Sequence, residues 1–172
     1  LADTIYAGAG DDAVFLDNED LTSDTVVDGE AGSDTLVFNF AGAAVTYTLN
    51  ANVPTNFENL VGTTGNDTLT GDANANIIYG GIGLDTLNGG DGNDTLNGSG
   101  GNDTISGGDD NDTLDGGSGD DILDGGDGDD DGDGDGDGDD GDGDDVMVMV
   151  MMGMGMGMTT VMGMVMVMVG IG

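Results

Sequence analysis

GTTGNDTLT, GDANANIIY, GGIGLDTLN, GGDGNDTLN, GSGGNDTIS, GGDDNDTLD and GGSGDDILD follow one another from Gly62 to Asp124, seven nonapeptides in unbroken register. A short fixed period means that each unit is one piece of something that stacks on its neighbours. Within each unit the first six positions are mostly Gly, Asn and Asp, residues that reach positive φ cheaply and make tight turns. Position six is Asp in every unit except the second, where it is Asn76. The last three positions read as a very short strand, with an apolar residue at position eight between two that can face water. Leu69, Ile78, Leu87, Leu96, Ile105, Leu114 and Leu123 hold that apolar position.

So few Leu and Ile side chains cannot by burial alone offset the entropy of ordering so much Gly-rich chain. The regularly spaced Asp residues add like-charge repulsion, because the protein contains no Lys, Arg or His and carries a formal net charge of −36. The counterion such a stack calls for is a hard divalent cation, which takes oxygen ligands from carboxylates and exposed carbonyls.

Gly89 to Asn97, GGDGNDTLN, resembles the RTX, or haemolysin-type, calcium-binding nonapeptide GGxGxDxUx. The resemblance implies an all-β fold, a parallel β-roll (a right-handed β-solenoid) in which two repeats complete one turn. It also implies several calcium ions, each lying between successive loops on the same edge and bound by sixth-position side chains and loop carbonyls. Carried over, one edge stacks Asp67, Asp85, Asp103 and Asp121, and the other stacks Asn76, Asp94, Asp112 and Asp130. The site shared by Asn76 and Asp94 should be the weaker one. Asp110 replaces the family's fourth-position glycine in the sixth repeat, which bears on turn strain more than on ligand count.

Composition narrows the function further. Without cationic side chains the protein is not an electrostatic nucleic-acid binder. It also has no Cys, and so lacks imidazole, amine and thiol for catalysis. The chain is therefore read as a binding module, not an enzyme, and as a fragment of something longer, since it starts at Leu1 with no basic leader region. Its resemblance places it in a secreted, extracellular protein that folds on meeting calcium outside the cell. The larger protein is then an RTX-type protease or lipase, or a calcium-stiffened adhesin, with the enzymatic or adhesive domain upstream. Relatives of this kind usually leave by a type I secretion system with a signal after the repeats, and the C-terminal tail does not look like one.

Residues 1–37 carry degraded copies of the repeat, AGAGDDAVF from Ala7 and GEAGSDTLV from Gly29, which make Asp12 and Asp34 second-rank ligand candidates. Their spacing is not a multiple of nine, so Leu16 to Asp28 reads as an inserted loop that interrupts the stack. Residues 38–61 read as a connecting strand, Ala44 to Leu49, a turn at Pro54, and an apolar lid of Phe57 and Leu60 on the open end of the roll proper, residues 62–130. Asn-Asp-Thr triplets starting at Asn66, Asn93, Asn102 and Asn111 match the glycosylation acceptor pattern, but repetition alone generates them.

Residues 131–145 are an Asp-Gly run that reads as disordered. EF-hand-like matches within it arise by chance in several registers, without flanking helices. Residues 146–172 are almost wholly Met, Val and Gly. As protein this tail could span a membrane, hold a soft metal or aggregate. If every codon there ends in G, however, moving the frame back by one base gives Asp and Gly, and only Ile171 resists. The tail thus reads as a shifted-frame continuation of the acidic run, and no membrane span is expected unless it is genuine.

Overall fold

The computed structural model describes residues 4–17, 26–40, 42–49, 54–133 and 146–147. Strands β1 (Thr4–Ala9) and β3 (Val26–Ala31) form a two-stranded parallel sheet. A seven-stranded sheet runs through β2 (Ala13–Leu16), β4 (Thr35–Phe38), β6 (Asn59–Val61), β8 (Ile77–Ile82), β10 (Thr95–Gly100), β12 (Thr113–Asp115) and β14 (Asp131–Asp133) in that order. The facing six-stranded sheet runs through β5 (Thr46–Thr48), β7 (Thr68–Thr70), β9 (Thr86–Asp91), β11 (Thr104–Asp109), β13 (Ile122–Asp127) and β15 (Val146–Met147). Every strand pair is parallel, and the chain alternates between the two larger sheets, so the described residues form a β-solenoid without helices. No helix among them is long and apolar enough to cross a membrane.

The nine-residue period sets the register. Thr95 pairs with Thr113 and Thr86 with Thr104, offsets of 18 residues, so two repeats make one turn and each residue stacks on its equivalent. Each rung therefore puts its eighth-position side chain on the previous one: Leu60, Ile78, Leu96 and Leu114 from one sheet, Leu69, Leu87, Ile105 and Leu123 from the other, all buried. Flanking Thr68, Thr86, Thr95 and Thr104 are exposed, which is the strand alternation their spacing demands.

The roll extends further toward the N-terminus than the sequence predicts. Residues 38–61 are not a connector and lid: Tyr47 pairs with Leu69 in the six-stranded sheet, and Leu60 sits inside the ladder between Leu36 and Ile78. Nor does the insertion after Leu16 interrupt the stack. Ala13 pairs with Thr35 and Thr4 with Val26, a 22-residue offset, so the four extra residues are absorbed between strands while the ladder stays parallel. This end of the core is the richer one. Leu16, Val27, Leu36, Phe38 and Phe57 are buried, and Phe38 meets Phe40 and Tyr47 edge-on at centroid distances of 6.2 and 5.4 Å.

The other end also differs from expectation. Asp131–Asp133 at the start of the acidic run is a strand, because Asp131 falls in phase with Thr113. Of the Met-rich tail only Val146 and Met147 are described, as backbone paired with Ile122 and Leu123. The remaining expectations for the acidic run and the tail lie outside the described residues.

Candidate metal centre

The sixth-position residues form two columns, one on each edge of the roll. On the first edge the N–H of Val45 donates to Asp67 Oδ1, that of Asp67 to Asp85, that of Asp85 to Asp103 and that of Asp103 to Asp121, each at 2.7 Å. On the second, the N–H of Asn76 donates to Asp94 Oδ1 at 2.8 Å, that of Asp94 to Asp112 at 2.8 Å and that of Asp112 to Asp130 at 2.9 Å. Asp12 and Asp34 extend this second column, with the Asp12 N–H donating to Asp34 Oδ1 at 2.8 Å. One carboxylate oxygen of each Asp thus clamps a neighbouring turn.

Sequence reasoning missed Glu58, whose Oε2 accepts the Asp34 N–H at 2.8 Å and so fills the column's place between Asp34 and Asn76. Its position 18 residues before Asn76, leading into Asn59-Leu60-Val61, was the available signal. The Asn residues of the Asn-Asp-Thr triplets also tie turns together. Asn66, Asn93 and Asn111 each accept, at 3.0, 3.0 and 2.8 Å, from an N–H one turn further on.

The second carboxylate oxygen is the chemically informative one. Oδ2 of Asp34, Asp85, Asp94, Asp103 and Asp112 is buried with no hydrogen-bond partner. Each points to the space beside the first glycine of its own loop, and for four of them a carbonyl oxygen from the next turn faces the same space. A methyl placed on Gly80 would stand 2.6 Å from Asp85 Oδ2 and 2.9 Å from the Gly98 carbonyl oxygen. Asp94 with Gly107, Asp103 with Gly116 and Asp112 with Gly125 repeat the arrangement. A buried oxygen with no donor costs free energy, and the protein has no cationic side chain to supply one. Among the described residues no three carboxylates converge on one point, so a cation here would need backbone carbonyls as well. An all-oxygen set of that kind suits a hard divalent ion.

Burial has the expected electrostatic effect. It pushes the Asp94 carboxyl up to about 7, opposed by the hydrogen bond from the Asn76 N–H and reinforced by the Asp112 and Asp72 charges. Asp103 and Asp112 rise to about 6 for the same leading reason, and Asp85 is also raised. Without a cation these sites favour the protonated acid.

No curated protein matches the chain. The RTX calcium-binding nonapeptide repeat matches it in four copies, over residues 2–20, 56–87, 79–114 and 106–140, more than half of its length. With the 18-residue ladder and the paired Asp columns, that match makes the chain a member of the RTX calcium-binding nonapeptide repeat family.

Proposed function

We propose that this chain is a calcium-binding module of a secreted protein, taking several ions along its two edges and folding when it meets calcium outside the cell. The supporting observation is the row of buried, unpartnered Oδ2 atoms facing carbonyl oxygens of the next turn. Asp85, Asp94, Asp103 and Asp112 are the leading ligands, Asp121 and Asp130 continue their columns, and Asp12, Asp34, Asp67 and Asn76 stand at the N-terminal end. Bound calcium supplies the positive charge that the chain lacks. The Asp side chains each hold a neighbouring turn with Oδ1 and leave Oδ2 for the ion. A ligand that binds only the folded state stabilises it by about 2.7 kcal/mol per site at a hundredfold excess over Kd. Far-UV circular dichroism should show β signal gained on adding calcium and lost with chelator, with matching heat in calorimetry. A spectrum indifferent to calcium sinks the proposal.

The raised carboxyl values predict how calcium and pH compete. Between the ordinary Asp value near 4 and the shifted values of about 6 to 7, the metal-free fold holds protons that the unfolded chain releases. Metal-free stability therefore falls as pH rises through that window and recovers on acidification. Calcium needs the ionised form, so its affinity should drop as pH is lowered from about 7.5 to about 5.5. Calorimetric titrations across that range check the sign: affinity that is flat or rises on acidification contradicts the assignment.

A further inference from the structure

The loops of the roll adopt two conformations, and the difference lies at their second position. Ahead of Asp34, Asp85, Asp94, Asp103 and Asp112 that residue is Glu30, Gly81, Gly90, Ser99 and Gly108, with φ of 70, 116, 115, 79 and 123°. These are the five loops whose Asp Oδ2 is buried and unpartnered. In the loops 62–67 and 71–76 the second residues are Thr63 and Asp72, and neither has a positive φ. Their N–H groups turn inward instead. Thr63 donates to Asp67 Oδ2 at 2.6 Å, and Asp72 donates to Asn76 Oδ1 at 2.8 Å.

Side chains complete the closure. Thr63 Oγ1 lies 2.7 Å from the Ala43 carbonyl oxygen and accepts the Gly65 N–H at 2.9 Å. Asn76 Nδ2 donates to the Glu58 carbonyl at 2.8 Å, a bond that an ionised Asp, which only accepts, cannot make. The oxygen that other loops leave open is here held by the protein itself, once on each edge. Asn76 also removes a negative charge from the column between Glu58 and Asp94.

We propose that these two loops are a built-in metal-free turn, in which Thr63, Asp72 and Asn76 do what calcium does elsewhere. The stack from β1 to β8 then keeps its fold without calcium and templates the calcium-dependent turns from β9 onward. The inference rests on the proposed calcium function of the open loops. The distribution of the core supports it independently, since the buried aromatic residues Phe38 and Phe57 both lie before Gly62, and Tyr47 is anchored there by its hydroxyl on the Pro54 carbonyl at 3.1 Å. In a solenoid, stability is set by each turn and its neighbours, so one half can persist while the other opens.

Hydrogen exchange of the full chain in calcium and in chelator tests this. In chelator, amides of residues 57–79 should keep their protection, while those of residues 86–127 exchange at least about tenfold faster than in calcium. Equal loss over both segments overturns the metal-free turn and leaves the calcium module standing. No calcium effect in either segment removes both proposals. The double variant Asp72→Gly, Asn76→Asp reopens one loop and should bind additional calcium, with chelator sensitivity spreading into residues 57–79. An unchanged calcium count in a folded double variant also overturns the inference; if that variant does not fold, the exchange experiment on the unaltered protein still decides.

Discussion

Leu96→Ala is expected to lower the stability of the calcium-loaded protein by about 2–5 kcal/mol, as read by denaturant unfolding. Leu96 is fully buried in β10 and stacks directly between Ile78 and Leu114. The size of the effect follows from how little the site can relax. Neighbouring rungs are held about 4.8 Å apart by their backbone ladders, so neither Ile78 nor Leu114 can move along the axis to fill the void without breaking hydrogen bonds. The damage should also be directional. Each turn is supported only by its neighbours, so a weakened β10 uncouples β12 and β14 from the better-packed N-terminal half. Leu84→Ala is the control: Leu84 lies in a loop at 57% exposure, and its removal should change stability by no more than about 0.5 kcal/mol. Equal effects from the two substitutions would mean that the eighth-position residues do not form the core.

What the sequence disclosed and what it hid follow from the same physics. Wherever the period is nine, the 18-residue ladder, the apolar position and both Asp columns can be counted off directly, because every rung must repeat the one below it. Counting fails where the offset changes. Asp34 lies 22 residues from Asp12 and 24 from Glu58, so Glu58 is invisible to a nine-residue ruler although it occupies the same column. The sequence likewise hid that Tyr47 and Leu60 are rungs and not a connector and lid, since parallel pairing across an insertion leaves no periodic trace. Asn76 is a different case. Its departure from the repeat was plain, but whether it weakens a calcium site or replaces one depends on the backbone at Asp72, which composition does not reveal. The same holds for Thr63, an unremarkable loop residue whose N–H changes what Asp67 is free to bind.

Gly101→Ala should be among the most damaging single changes in the roll, because it combines two penalties that can be measured apart. Gly101 has φ of +129°, a region that residues with a side chain rarely enter, at a cost of order 1–3 kcal/mol. In addition, its added methyl would run into the carbonyl oxygen of Gly83 in the turn below. That neighbour is backbone and cannot swing aside. Gly83 N–H already donates to the Gly100 carbonyl and Gly101 N–H to Ser118, both at 2.8 Å, so relieving the clash means separating turns that those bonds hold together. Gly8 isolates the first penalty: its φ is +109°, and a methyl there would meet nothing within 4 Å. Gly8→Ala should therefore cost only the backbone term, while Gly101→Ala should cost clearly more, on the order of 4 kcal/mol or above, and should also weaken calcium binding at the loops around Asp85 and Asp103. Denaturant unfolding and calcium calorimetry on the two variants make the comparison. If they behave alike, the stacked glycine loops are not in the close contact that the ladder requires, and the turns must be held apart by something other than their own backbones.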